Sequence, residues 1–272
     1  MINLSPEKRP RNLSFQKLIP NMITLTAMAA GMTAIKFAII NKWEEAVIAI
    51  VISAFLDAFD GAAARMLKAQ SKLGAELDSL SDFLCFGIAP ALVTFLWSTH
   101  GAGRLGWFMS LIFAMAVGLR LARFNVAKVE EAADNPLSKY FTGVPSPVGA
   151  GLALLPMIVS FQISPNAPSG FYDIVSNPNV VGLWLILLSA LMVSHIPTFS
   201  SKQIRVSQKM SIFALAFFAL LLAGLINEPW PTLMLMGVCY LFTLPWSVHH
   251  YAQKKKSLDQ GMSDPDDLDQ DD

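Results

Sequence analysis

Four aspartates stand where the surrounding sequence is strongly apolar. In the stretch LDAFDGAAARMLKAQSKLGAELDSLSDF, Asp57 and Asp60 lie three residues apart, and Asp78 and Asp82 lie four residues apart. In an α-helix these spacings place both members of each pair on one face. Acidic side chains are costly inside a membrane and are usually functional there. The pattern therefore predicts a site at which four carboxylates act together.

The chemistry expected of such a site is the binding of divalent cations. Converging carboxylates repel one another, and each loses hydration when it is buried. Mg²⁺ or Mn²⁺ prefers carboxylate oxygens, and two such ions neutralise four aspartates. Two alternatives remain open for single residues: Asp78 could cap a helix, and Asp57 or Asp60 could pair with Arg65 or Lys68.

The residues between the aspartates favour a phosphate-bearing ligand. Gly61 and Ala64 form a small-residue notch beside Asp60, and Arg65 offers a guanidinium fork suited to phosphate. Gly74 allows the backbone to approach another group closely. Each of these residues also has an ordinary structural explanation, in helix packing, in a loop or at the membrane surface. Together with bound cations, they indicate a diphosphate ligand.

The elements that must position these residues are membrane helices. Of 272 residues, 54% are hydrophobic and only 15% are charged, and the mean hydropathy is +0.48. Soluble domains carry about a quarter charged residues. We expect an all-α integral membrane protein, because open strands in lipid leave backbone amides unpaired. The eight predicted spans are approximately Leu18–Ile40, Ala46–Ala63, Leu80–Trp97, Leu105–Leu121, Val148–Ile163, Val180–Val193, Ser211–Ile226 and Leu233–Val248.

The placement of basic residues predicts the orientation of these spans. With both termini in the cytoplasm, the outward connections hold only Lys42 and Arg104, with Lys36 near the end of the first span. The inward segments then contain the remaining cations, as the positive-inside rule requires. These are Lys8, Arg9, Arg11, Lys17, Arg65, Lys68, Lys72, Arg120, Arg123, Lys128, Lys139, Lys202, Arg205, Lys209, Lys254, Lys255 and Lys256.

The domain organisation follows from the same pattern. Residues 1–17 form a basic cytoplasmic N-terminus, residues 18–200 a membrane core, and residues 201–250 an additional pair of C-terminal transmembrane helices. Residues 251–272 are predicted to be a disordered cytoplasmic tail, because the stretch from Leu258 onward is acidic and lacks aromatic residues.

The aspartate-rich stretch resembles the signature of the CDP-alcohol phosphatidyltransferase family. It contains D-x-x-D-G-x-x-A-R-x8-G-x-x-x-D-x-x-x-D from Asp57 to Asp82, with every fixed position filled. The resemblance implies a six-helix membrane core, usually in a homodimer, with a polar cavity open to the cytoplasm. It also implies transfer of a phosphatidyl group from CDP-diacylglycerol to a small alcohol, with release of CMP.

The resemblance further implies roles for individual residues. The four aspartates, Asp57, Asp60, Asp78 and Asp82, would hold two divalent cations, Mg²⁺ or Mn²⁺, and Asp82 would also act as the general base. The segment IPNMITLT resembles the start of the family's first helix. The residues that would contact CDP are Asn21, Thr24, Gly61, Ala64, Arg65 and Gly74. For Asn21 and Thr24, hydrogen bonds between helices are an equally good explanation.

Three further stretches resemble the phosphatidylserine synthase branch of the family: GLRLARFNV, YFTGVPSPVGAG and LMVSHIPTFSSK. They imply L-serine as the acceptor. An arginine fork can bind the serine carboxylate through two hydrogen bonds, and an amide oxygen can accept from its ammonium group. The candidate acceptor-binding residues are Arg120, Arg123, Asn125, Lys139 and Ser146. Alternatively, the cations among them anchor the headgroup interface.

Other functions remain open at this stage. The same chemistry could serve choline, glycerol 3-phosphate or an inositol phosphate, and a cation-coupled transporter is a more distant alternative. Against transport, the acids cluster at the inward ends of two helices, without a matching pair of broken helices in a second half. We expect a location in the cell (inner) membrane, with membrane lipids as partners, an active site that faces the cytoplasm, and no nucleic-acid partner.

Overall fold

The structure, a computed structural model, describes residues 18–130, 141–142, 144–163, 169–194, 197–198 and 208–243. The predictions for residues 1–17, for Lys139 and for the tail 251–272 lie outside these ranges. The chain divides into two compact units, Met1–Cys85 and Phe86–Asp272, and each is described by itself.

The described residues are almost entirely helical. The first unit contains α1 (Leu18–Ile39), α2 (Trp43–Met66) and α3 (Lys72–Asp82). The chain then passes through a π-helical turn, Phe83–Ile88. The second unit continues with α4 (Ala89–Trp97), a 3₁₀ turn (Thr99–Ala102), α5 (Arg104–Glu130), β1 (Phe141–Thr142), α6 (Ser146–Phe161), α7 (Ser169–Val175), α8 (Pro178–Val193), β2 (Pro197–Thr198), α9 (Gln208–Asn227) and α10 (229–243). The two short strands pair antiparallel.

The prediction of an all-α, multi-pass membrane protein is confirmed. Within the described residues, four helices are long and apolar enough to cross a bilayer: Leu18–Ile39, Trp43–Met66, Lys72–Trp97 and Arg104–Val126. Ser146–Phe161, Pro178–Val193 and Leu215–Asn227 are shorter apolar helices. The number of eight spans stays a prediction, and the predicted end of the last span lies outside the described residues.

The packing of α1 is typical of a membrane helix. Its buried residues are Pro20, Thr24, Ala27, Gly31, Ala34 and Ala38, whereas its large side chains, such as Met22, Leu25 and Met32, are exposed. Small residues let helices approach closely, which supplies the packing energy that lipid does not. A Cβ atom added at Gly31 would lie 2.7 Å from Cys85 Sγ. This face brings α1 against α2 and α3.

The connection between α2 and α3 is a tight, hydrogen-bonded turn. Lys68 adopts a positive φ of 49°, its N–H donates to the Arg65 carbonyl, and the N–H of Ala69 donates to the Ala64 carbonyl at 2.9 Å. This pattern closes a helix C-terminus. Ser71 then caps α3 by accepting from the N–H of Gly74 at 3.0 Å. The predicted start of the third span at Leu80 was therefore wrong, because the cap starts the helix at Lys72.

In the second unit, the proline inside α6 is compensated by a tryptophan. Pro156 has no N–H to donate to the carbonyl of Leu152, four residues earlier. The indole N–H of Trp184, on α8, donates to that carbonyl oxygen at 2.8 Å instead. The bond joins α6 to α8 and satisfies a backbone group that lipid cannot hydrate.

We predict that Trp184→Phe lowers stability by about 1–3 kcal/mol, because it leaves the Leu152 carbonyl without its donor. In a Pro156→Ala background the loss should be smaller, since alanine restores the backbone N–H. Thermal unfolding of the four proteins in detergent measures both effects. An equal loss in the two backgrounds would contradict this explanation.

Candidate active site

Three of the four predicted aspartates converge. Asp57, Asp60 and Asp78 each offer a carboxylate oxygen, and these oxygens all lie within 4.8 Å of one another. The first two project from α2 and the third from α3, which contacts α2 across the tight turn. Asp60 is buried, and the other two are half-buried. Asp78 lies inside α3, so the alternative that it caps this helix is wrong.

The fourth aspartate joins this cluster through Asp57. The carboxyl groups of Asp57 and Asp82 are within hydrogen-bonding reach of each other. Ionised carboxylates this close repel each other, and such a contact is stable only with a proton or a cation between them. Asp82 is the last residue of α3, directly before the π-helical turn. Turns of this kind are frequent at functional sites.

Helix α1 fixes the most buried carboxylate. The hydroxyl of Thr24 donates to Asp60 Oδ2 at 2.5 Å. Asp60 lies on the buried face of α2, seven residues after buried Ser53, which explains why it faces α1. Thr24 therefore makes the hydrogen bond between helices that the sequence left as an alternative to nucleotide binding.

The carboxylates fit a divalent-cation site. They are hard oxygen donors on two facing helices, and their mutual repulsion in a partly buried position is relieved by positive charge. Asp57, Asp60, Asp78 and Asp82 are the residues that would hold the ions. The oxygen-only donor set suits Mg²⁺ or Mn²⁺ better than softer metals.

The two glycines beside the cluster, Gly61 and Gly74, differ in how much space a larger side chain would find there. A Cβ atom added at Gly61 would meet Arg65 Nη1 at 3.5 Å, an ordinary van der Waals distance. The protein's own packing therefore does not require glycine there. A Cβ atom at Gly74 would lie 3.0 Å from Asn21 Oδ1 and 3.1 Å from the capping Ser71 Oγ. An alanine at Gly74 would therefore require the side chains of Asn21 and Ser71 to shift by a few tenths of an ångström.

The structure brings several predicted CDP-binding residues to one part of the first unit. Arg65 folds back toward Gly61, and Asn21 approaches Gly74. Ala64 is half-buried on α2, and its carbonyl helps to close the turn. Their assignment to CDP stays a prediction.

The predicted acceptor-binding residues lie in the second unit and differ in their contacts. Arg120 is buried, and its Nη1 donates to Ser146 Oγ at 2.6 Å. Arg123 is exposed, and its Nη1 donates to the Val193 carbonyl at the end of α8, a common role for arginine at a helix C-terminus. Asn125 is half-buried. Lys139 lies outside the described residues.

Sequence reasoning missed three features of these two units. It did not identify the Thr24–Asp60 bond as the support of the cluster, although polar residues on helix faces often pair across an interface. It missed the π-helical turn, for which Pro90 is a signal in hindsight, because its ring conflicts with the carbonyl of Phe86, four residues earlier. It also did not single out Tyr240, whose buried hydroxyl has no hydrogen-bond partner among the residues that the structure describes.

Fold and site narrow the class of protein. A multi-pass helical membrane protein with a carboxylate cluster on facing helices has a donor set suited to divalent cations, as in membrane enzymes that act on phosphate-bearing substrates. Comparison with protein families gives the particular family: residues 17–194 match the family described as CDP-alcohol phosphatidyltransferase. A second family, described as CDP-alcohol phosphatidyltransferase 2, matches residues 209–245.

Curated relatives are similar over most of the chain, and several carry the name CDP-diacylglycerol–serine O-phosphatidyltransferase. A Mycobacterium bovis protein of this name is 32% identical over 85% of this chain and 78% of its own length. The proteins of this name from Helicobacter pylori and Bacillus subtilis are 32% and 34% identical, over 75% and 65% of this chain and 81% and 88% of their own lengths. The chain belongs to the CDP-alcohol phosphatidyltransferase family and is an enzyme with phosphatidyltransferase activity.

We predict that Thr24→Val raises the Mn²⁺ concentration for half-maximal CMP release about 10–100-fold, the usual effect of losing a group that orients a metal ligand. The matched control is Thr26→Val, since the exposed Thr26 hydroxyl donates to the Met22 carbonyl within α1. The Km for CDP-diacylglycerol should change less than the metal requirement. An unchanged metal requirement would mean that Thr24 does not orient Asp60.

Proposed function

We propose that this enzyme transfers the phosphatidyl group of CDP-diacylglycerol to the hydroxyl of L-serine, giving phosphatidylserine and CMP. The observation that carries the chemistry is the convergence of Asp57, Asp60 and Asp78 within 4.8 Å on α2 and α3. The serine acceptor is supported by the names of the curated relatives and by the three stretches around Arg120, Pro145 and Pro197.

Two divalent cations, Mg²⁺ or Mn²⁺, complete the proposed site. When bound to the four aspartates, they would neutralise the diphosphate and stabilise charge on the leaving nucleotide. Thr24 keeps Asp60 oriented toward this position through its hydrogen bond. Asn21, Thr24, Gly61, Ala64, Arg65 and Gly74 are the residues proposed to surround the CDP moiety.

In the proposed reaction, Asp82 accepts the proton of the serine hydroxyl. The serine oxygen forms a bond to the phosphorus that carries the diacylglycerol, and the bond from that phosphorus to the CMP oxygen breaks. The guanidinium of Arg65 balances negative charge on departing CMP. Positioning and charge neutralisation supply most of the rate in reactions of this type.

The acceptor is proposed to bind through the second unit. The buried guanidinium of Arg120 is suited to the serine carboxylate, and Ser146 holds its Nη1 in place. Arg123 and Asn125 are further candidates, although Arg123 already bonds the end of α8. Lys139 is a candidate on sequence alone.

The proposal places the enzyme in the cell (inner) membrane with its site toward the cytoplasm. The distribution of Lys and Arg along the sequence supports this orientation. The resemblance to the family also implies a homodimer, which chemical crosslinking in native membranes would test.

The test of the proposed function is CMP release by purified protein given CDP-diacylglycerol and one alcohol at a time. We expect release with L-serine and Mg²⁺ or Mn²⁺, and its loss in EDTA. Choline, glycerol 3-phosphate and an inositol phosphate form the comparison set. Faster release with any of these than with serine would overturn the serine assignment.

We predict that Gly61→Ala impairs catalysis without impairing the fold. A Cβ atom there meets only Arg65 Nη1, at 3.5 Å, and alanine favours a helix over glycine by about 1 kcal/mol. If Gly61 lines the CDP site, the Km for CDP-diacylglycerol should rise about tenfold or more while stability is kept or increased. Gly31→Ala is the contrast, because its Cβ would lie 2.7 Å from Cys85 Sγ and should destabilise the protein. Normal kinetics in Gly61→Ala would remove it from the CDP site.

We predict that Asp82→Asn lowers kcat about 10²–10⁴-fold, the usual loss when a general base is removed. The matched control is Glu76→Gln, which neutralises an exposed acid on the same helix and should leave kcat unchanged. Turnover with CDP-diacylglycerol and serine measures both variants. Near-normal turnover in Asp82→Asn would exclude its role as the base.

A further inference from the structure

The second unit contains a buried group of hydrogen-bond donors at the start of α6. Arg120 is 9% exposed, and Ser146, which accepts from it, is 1% exposed. Ser146 is the first residue of α6, and Arg120 belongs to α5. A guanidinium withdrawn from solvent in this way favours a nearby anion.

Helix α10, the last one within the described residues, runs antiparallel along α6 toward this group. Near the end of α6, the rings of Phe161 and Trp230 pack edge to face with centroids 4.8 Å apart. About two turns further along α10, a Cβ atom added at Gly237 would lie 3.0 Å from Leu155 Cδ1. Continuing in this direction, Tyr240 comes one turn closer to the first residue of α6.

Tyr240, on α10, carries a hydroxyl that lies within electrostatic range of the Arg120 guanidinium. Its oxygen is buried and finds no hydrogen-bond partner among the residues that the structure describes. A buried hydroxyl without a partner destabilises a protein, whereas phenylalanine in its place would not have this cost. The hydroxyl is therefore better explained by a ligand than by the fold.

The chemistry of the three side chains matches a carboxylate. Arginine can only donate, and a serine hydroxyl that accepts from arginine keeps its own proton for donation. A tyrosine hydroxyl donates readily to an anion. Arg120, Ser146 and Tyr240 thus offer several donors and one positive charge, whereas a carboxylate supplies two oxygens and one negative charge.

We propose that Tyr240 is a specificity-determining residue for the acceptor, whose hydroxyl donates to the carboxylate that Arg120 binds. The inference rests on the proposed function, in which that carboxylate belongs to L-serine. It assigns a part in substrate selection to α10, which lies beyond the core of residues 18–200.

The test is a kinetic comparison of Tyr240→Phe with the wild-type enzyme. Loss of one hydrogen bond to a charged group should raise the Km for serine about tenfold, or ~1.4 kcal/mol. The kcat and the Km for CDP-diacylglycerol should stay within about twofold of wild type. The melting temperature should be unchanged or higher, because a buried unpaired hydroxyl is removed. If the Tyr240 hydroxyl instead stabilised the fold, Tyr240→Phe would have a lower melting temperature than wild type.

Three further measurements make the comparison specific. Tyr172→Phe removes the same hydroxyl from an exposed tyrosine of the second unit and should leave the Km for serine unchanged. Ethanolamine is serine without its carboxylate, so wild type and Tyr240→Phe should have the same kcat/Km for ethanolamine. The preference of Tyr240→Phe for serine over ethanolamine should therefore fall by the factor by which its Km for serine rises. In the double variant with Arg120→Lys, the two effects should be less than additive, because both side chains hold one carboxylate.

The outcomes separate this inference from the proposed function. A wild-type enzyme that uses serine, with an unchanged Km for serine in Tyr240→Phe, overturns the inference alone. A lowered melting temperature, with kcat and both Km values altered together, also overturns it, since the hydroxyl would then serve the fold. A wild-type enzyme that releases CMP with other alcohols and not with serine overturns both.

Discussion

Repulsion among carboxylates held close together in a membrane protein is the main physical constraint on the first unit. Two unit charges 4.8 Å apart repel by roughly 3.5 kcal/mol at an effective dielectric constant of about 20. Asp57, Asp60 and Asp78 form three such pairs, and Asp82 adds its contact with Asp57. A protein gains nothing structural from this arrangement. The divalent cations that we propose for this site would offset the repulsion and would also neutralise a diphosphate substrate.

The first unit can be understood as the support for this cluster. Small residues along α1 allow close packing against α2, so the Thr24 hydroxyl reaches Asp60. The hydrogen-bonded turn at Lys68 and the Ser71 cap then return the chain so that α3 brings Asp78 beside α2. Local rules of helix termination thus fix a long-range geometry. The same helices present large apolar side chains outward, which suits them to lipid.

The sequence predicted the parts of the site that follow from periodicity and motif. The spacing of Asp57 and Asp60, and of Asp78 and Asp82, placed each pair on one helix face, and the short connection predicted that the faces meet. The start of α3 was wrong because apolar character begins at Leu80, whereas the helix is set by a polar cap at Ser71. Hydropathy locates the apolar part of a helix and does not detect a polar first turn.

Contacts between distant segments were beyond sequence reasoning. Whether Thr24 bonds a substrate or a helix depends on which face of α2 meets α1, and that is a matter of packing. The Trp184–Leu152 bond and the approach of Tyr240 to Arg120 likewise depend on neighbours far apart in the chain. A proline in a helix shows that a carbonyl needs a donor, but not which residue supplies it.

The proposed catalytic chemistry requires that the acidic faces of α2 and α3 bind dications. Anomalous X-ray diffraction from crystals of catalytically active protein loaded with Mn²⁺ observes this directly. The predicted result is anomalous density for manganese at coordination distance from the oxygens of Asp57, Asp60 and Asp78. Active, manganese-loaded crystals with no such density between these carboxylates would contradict it.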